Sequence, residues 1–276
     1  MSKLHFDISD LRRFSLPELM AAGRICCAGW SAEFDSADGA DEFVRAGDSL
    51  FWELERRIGT EPDAADRCRM VCLMYELMTG VGEDWSAQKD SAFVSAFLSV
   101  AADCAAEACA TDGMLRALLC RASAYNLYCQ TDDVNPKIHG FAQACVAEWL
   151  RCLSGNRWAE TPMPVAMERI AALRAVAMTE ADADLLKVTD SILEKYARQA
   201  VGSDVSICLK SRLVDLLLEC GKFPQIVAQI LAEKTARSGG CSKSDSLVLQ
   251  SMQFAFECRQ MEVNRNFYGI AYDSSF

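Results

Sequence analysis

The chain has 276 residues, 51% of them apolar and 24% charged, which marks a globular protein with enough length for a substantial core rather than a disordered one. Lys and Arg total 28 against 39 Asp and Glu, a formal charge of −11. That acidity argues against a nucleic-acid backbone as partner. No apolar run approaches the roughly 18 residues of a membrane span.

Helix punctuation is dense. Ser15-Leu16-Pro17-Glu18 reads as a capping box with Pro in the first turn, opening a first helix that reaches about Gly29. The second covers 41–58, with Phe43, Leu50, Phe51, Leu54 and Ile58 as its stripe and Gly59 as its stop. Thr60-Glu61-Pro62-Asp63 starts a third, with Met70, Val71, Met74 and Leu77, ending at Gly80. Ser86 opens a fourth with Phe93, Phe97 and Leu98. A fifth follows Thr111, with Leu115, Leu118, Leu119, Ala122 and Tyr125. A sixth starts at Asn135-Pro136, carries Phe141, Cys145, Val146, Trp149 and Leu153, and ends at Gly155.

Pro162 and Pro164 precede a seventh helix with Met167, Ile170, Leu173 and Val176. Thr179 and Asp182 cap an eighth, whose stripe is Leu185, Val188, Ile192, Leu193 and Tyr196 and whose stop is Gly202. Ser203 opens a ninth with Leu209, Leu213, Leu216 and Leu217, stopped by Gly221. Pro224 begins a tenth that ends before Gly239-Gly240, and the eleventh covers 244–260. Alternating strand patterns are almost absent, so the expected class is all-α. Short links predict stacked antiparallel helical hairpins, an α-solenoid without the fixed period of tetratricopeptide repeats. A single domain over 1–276 is expected, with a soft joint at 155–164.

The 14 cysteines sit mostly where a helix would otherwise hold Ala, Val or Leu, as Cys68, Cys120, Cys145, Cys220 and Cys258 do. With no apolar leader in 1–14, they read as buried thiols in a reducing compartment, the cytoplasm. No metal is expected: Cys68 and Cys72 are four apart, Cys104 and Cys109 five apart, and His5 and His139 lie far from either pair. No cofactor is expected, because the phosphate-cradling glycine motifs are missing. No catalytic residue is expected either: His139 stands without a nucleophile, and Glu180, Asp182 and Asp184 fit the first turn of a helix, where carboxylates meet the dipole. The tail Asn266-Phe267-Tyr268-Gly269-Ile270-Ala271-Tyr272 is aromatic and too short for another hairpin. Phe267, Tyr268, Tyr272 and Phe276 are therefore the candidate partner contacts, by packing on the last helices or by docking on another protein.

Leu115-Arg116, then Ala124-Tyr125-Asn126-Leu127-Tyr128, a polar turn and Asn135-Pro136 resemble the Leu-Arg…Asn-Leu-Phe…Pro stretch of the m-subunit family of eukaryotic translation initiation factor three. Phe6-Asp7-Ile8-Ser9 is similar to that family's opening, and 254–276 to its last helical repeat. The resemblance is best over 114–149. It implies a PCI-type helical-repeat protein. That family continues into a winged helix, which is not expected within this chain, so contact through the repeats alone is implied. The expected function is a non-enzymatic scaffold subunit of a large cytosolic assembly, with other protein subunits as partners and neither nucleic acid nor membrane. The alternatives are a solenoid peptide-binding adaptor, a helical accessory subunit of a mitochondrial complex, and a helical-bundle small-molecule enzyme.

Overall fold

The computed structural model describes residue 4 and residues 6–33, 37–81, 86–106, 147, 149–151, 162–179, 182–237 and 242–273. Among these, every regular element is a helix and no strand occurs. The all-α expectation therefore holds for them. A short 3-10 helix, Ile8–Arg13, is capped by Asp7, whose carboxylate accepts from the Ser9 amide and hydroxyl at 2.9 Å each. Those two bonds hold the exposed Asp7 carboxyl below its usual range. Then follow α1 (Leu16–Glu33), α2 (Ala37–Ile58), α3 (Ala64–Gly80) and α4 (Ala87–Ala106). The later helices are α5 (Met163–Thr179), α6 (Ala183–Ala200), α7 (Ile207–Cys220), α8 (Pro224–Arg237) and α9 (Lys243–Asp273). The expected fifth helix, most of the sixth, His5, His139 and Phe276 lie outside the described residues.

Several starts are those the capping chemistry dictates. The Ser15 amide and hydroxyl both donate to Glu18 Oε2 at 2.7 Å, closing the box that opens α1. Ser86 Oγ accepts from the Lys89 amide, and Asp182 Oδ1 accepts from the amides of Asp184 and Leu185. Asp182 is thus a helix cap, and Asp184 pairs with Lys187 on the exposed face. Gly221, at φ 65, ends α7 with its amide on the carbonyls of Leu217 and Leu218.

Other boundaries are corrected. Gly29 does not end α1, which runs on to Glu33. It is a packing glycine: a Cβ there would come within 2.2 Å of Phe43 Cε1. α2 begins at Ala37, ahead of position 41, and α5 takes Pro164 into its first turn, where a missing amide costs nothing. Ser203 does not open α7. Its amide and hydroxyl turn back to the Ala200 carbonyl, Gly202 at φ 73 turns the chain, and Ser206 makes the cap instead. Val188, expected on the buried stripe of α6, is 46% exposed, and the buried positions are Thr189, Asp190, Leu193, Tyr196, Ala197 and Ala200. Thr189 satisfies its hydroxyl on the carbonyls of Leu185 and Leu186. Last, α9 continues 13 residues past Gln260 to Asp273.

The residues divide into two compact units. One comprises Met1–Glu53, Glu76–Glu83 and Ala200–Phe276. Its centre is α1, buried on several sides through Leu19, Ala21, Ala22, Ile25, Cys26 and Ala32. α9 packs most extensively on α1, and α7 and α8 pack on α9 and on each other. Directions follow from the contacts. Ser15 meets Ser244 at 3.5 Å and Arg24 meets Ser251, so α1 and α9 run parallel. Lys210 near the start of α7 meets Glu233 near the end of α8 at 3.2 Å, so those two form an antiparallel hairpin.

The other unit comprises Leu54–Tyr75 and Asp84–Gln199. Its core includes Tyr75, Phe93 and Phe97, with ring centres 5.5 and 6.2 Å apart in succession. Buried Trp149 carries the Arg169 guanidinium 5.9 Å from its ring centre. Arg174 of α5 and Asp190 of α6 pair where their side chains are 10% and 9% exposed. That pairing of a late residue with a middle one fixes α5 and α6 as an antiparallel hairpin.

Candidate functional site

Two features in the first unit combine charge, thiols and aromatic sequence. The first is a polar centre inside it. Arg24 is the one charged residue between Glu18 and Glu33 in a helix made mostly of Leu, Ala, Cys and Gly. Its side chain is 9% exposed. Such a charge must be met in place, because an unpaired buried guanidinium is far too costly. Its Nε and Nη2 take the two carboxylate oxygens of Asp215 on α7, the second at 2.8 Å. Nη2 also donates to Ser211 Oγ at 2.6 Å, and Nη1 to Ser251 Oγ on α9 at 2.5 Å. The Ser251 hydroxyl in turn donates to the Val248 carbonyl at 2.8 Å. One planar fork thus joins three helices. Burial opposes the charge of Arg24, but Asp215 first and Glu76 next hold its pKa above the ordinary arginine value.

Cys26 and Cys27 follow on the next turn. Cys27 Sγ donates to the Glu76 carbonyl at 3.6 Å. Burial pushes the Cys26 thiol up to about 12. It pushes Cys27 well above its usual value too, reinforced by the negative charge of Glu76. Both thiols are therefore protonated at neutral pH, the reverse of an activated nucleophile. Cys68, Cys72 and Cys258 are buried and outside any disulfide, as expected, Cys220 is half-buried, and Cys208 is exposed. Among the described residues no group of three His, Cys, Asp or Glu could hold a metal ion.

These thiols give a pH prediction. Folded Cys26 keeps its proton to about pH 12, whereas the unfolded thiol loses it near pH 9.0. The unfolded state therefore binds fewer protons in that window. Stability is intact below pH 9 and falls above it by about 1.4 kcal/mol per pH unit for this thiol. Urea titrations from pH 8 to 11 measure that slope, and Cys26→Ala makes it shallower; an unchanged slope refutes the assignment. At pH 8 a maleimide modifies Cys208 in seconds to minutes and leaves Cys26 and Cys27 untouched until the chain unfolds.

The second feature is the far end of α9. Phe267, Tyr268 and Tyr272, expected in a separate tail, lie instead on the continuous helix Lys243–Asp273. The lone Gly269 there costs a helix only about 1 kcal/mol, too little to end it. Tyr268 and Tyr272, four apart, share one face of the helix. α1 and α9 begin level, at Ser15 and Ser244, and Arg24 stands opposite Ser251. α1 ends at Glu33, nine residues after Arg24, so about 13 residues of α9 extend beyond it. At ~1.5 Å per residue that is about 20 Å.

In the second unit, a shallow open hollow of about 440 Å³ runs along α6, lined by Ser191, Glu194, Lys195, Arg198 and Gln199. Arg198 is already held by Glu194 at 2.6 Å. The Arg24 centre was missed in the sequence, although its signal was present: a lone arginine amid apolar residues of a helix has to find an acid. Comparisons with protein-family models, with curated proteins and with solved structures give no match to this chain.

Proposed function

We propose that the chain is a non-enzymatic scaffold subunit of a large cytosolic protein assembly, with translation initiation factor three as that assembly. What carries the reading is the end of α9, which runs about 20 Å past its partner helix α1 and bears Phe267, Tyr268 and Tyr272. Aromatic side chains are the residue type that anchors protein interfaces. The antiparallel pairs α5–α6 and α7–α8 support a reading as hairpins, PCI-like or solenoid; the return of α9 onto α1 is where the first unit departs from neighbour-only stacking. The buried charges support a fastening rather than a reactive centre, since Arg24 and Arg174 are taken up by Asp215 and Asp190.

The test is affinity purification of the tagged full chain from its own cells at about physiological salt, with quantitative mass spectrometry. Recovery of initiation-factor subunits is expected, and Phe267→Ala/Tyr268→Ala/Tyr272→Ala lowers it about tenfold or more, as loss of interface anchors does. Recovery of another assembly discards the initiation-factor name. Recovery of the bait alone discards the scaffold role.

A further inference from the structure

We propose that the Arg24 centre is a register lock, which selects one alignment of α9 along α1 out of several that apolar packing would accept.

The reason lies in what is buried on the two helices. On α1 the small buried residues are Ala21, Ala22, Gly23, Cys26 and Ala32, besides Gly29, which faces the Phe43 ring; on α9 they are Ser251, Ala255 and Cys258. Both helices thus offer small side chains three or four residues apart along their length. Sliding one helix along the other by a turn, about 5.4 Å, sets one small side chain where another stood. Met252, the largest fully buried among the described side chains of α9, is unbranched and adapts to a changed gap. Apolar contact of this kind rewards burial without fixing alignment, the situation in which one buried polar group specifies register in helical assemblies.

Arg24 has that property here. Its Nη1 reaches Ser251 while Nε and Nη2 hold Asp215 and Ser211 on α7. A slip of α9 by one turn brings Leu247, Val248, Phe254 or Ala255 to the place of Ser251. None of these side chains accepts a hydrogen bond, so a buried donor of a charged group would lose its partner. The Ser15–Ser244 contact at the level of both helix starts marks the selected alignment and lies away from the centre. It therefore reports register without disturbing the lock.

The experiment is disulfide trapping in the full chain with Cys241→Ser, to remove the neighbouring thiol, and peptide mapping by mass spectrometry. Ser15→Cys/Ser244→Cys reads the observed register and Ser15→Cys/Leu247→Cys the one-turn slip. With Arg24 in place the first pair closes at least about tenfold faster than the second, the ratio a single hydrogen bond to a charged group sets. In the apolar replacement Arg24→Met/Asp215→Leu/Ser211→Ala/Ser251→Ala the ratio falls to within about threefold while circular dichroism stays helical. An unchanged ratio in that folded variant overturns the proposal. Should that variant fail to fold, Ser251→Ala alone, which cuts only the α9 bond, is read instead: a fall in the ratio supports the lock and an unchanged ratio overturns it.

Discussion

Arg24→Met lowers the stability of the first unit by roughly 3–5 kcal/mol, the cost of leaving the other half of a buried ion pair uncompensated. The loss comes from Asp215, only 19% exposed, whose carboxylate is left without its cation, and from the hydroxyls of Ser211 and Ser251. Two controls separate this from a packing effect, since Met nearly fills the volume of the arginine stem. Arg24→Lys keeps the charge but loses the fork, and costs less than Arg24→Met yet more than a surface change. Arg24→Met/Asp215→Leu recovers most of the loss, because the desolvated carboxylate is gone as well. Urea titration at pH 7 gives these values and that of Asp215→Leu alone. A double variant as unstable as the sum of its single changes would show that the two residues do not act as a pair.

Gly29→Ala destabilises the protein despite the better helix propensity of alanine. Propensity favours the change by about 1 kcal/mol at an interior helical position. Against it stands the Phe43 ring, with three atoms within 2.2–2.6 Å of where the new Cβ would lie. Phe43 is itself fully buried and packed on Phe254, with ring centres 6.2 Å apart, so the ring has nowhere to retreat. Overpacking of that kind costs about 1–3 kcal/mol or more, and the net effect is a loss. The cost shrinks in a Phe43→Leu background, where the ring is absent and the propensity gain remains. Equal costs in the two backgrounds would remove Phe43 as the cause. The same substitution at Gly59, whose nearest neighbouring atom is a carbonyl at 3.9 Å, meets no such obstacle.

These two residues show where the sequence is legible and where it is not. Starts and stops are local chemistry, so Ser15 with Glu18, Ser86, Asp182 and Gly221 could be read from neighbours within one turn. Ser203 and Ser206 offer the same hydroxyl three residues apart. The choice between them rests on the turn at Gly202, whose amide is held by Glu233 at 2.6 Å, a residue 31 positions away. Gly29 has the composition of a stop signal and the role of a gap for a ring on another helix. Val188 fits the apolar stripe of α6 by spacing, but Asp190 must turn inward to meet Arg174, and the buried face rotates with it. The aromatic run after Gln260 looks like a separate tail because sequence pattern cannot weigh one glycine against a helix already under way. The pairing of α1 with α9 leaves no local trace, since both carry small apolar residues that many partners would accept. The candidate contacts Phe267, Tyr268 and Tyr272 could be named from composition; their place on one continuous helix could not.

The parallel seating of α1 on α9 also sets the timing of biogenesis. The face of α1 that receives α9 is synthesised well before α9 and finds its cover only when residues 243–260 have been made. At ~5–20 residues per second, translating the intervening 209 positions between Glu33 and Lys243 takes about 10–40 s. Throughout that interval a nascent chain presents a strip of Ala, Ile and Cys with a lone arginine in its middle. Contacts this distant in sequence also slow the final search once synthesis ends. The first unit therefore completes its α1–α9 packing only after residues 243–260 have been made.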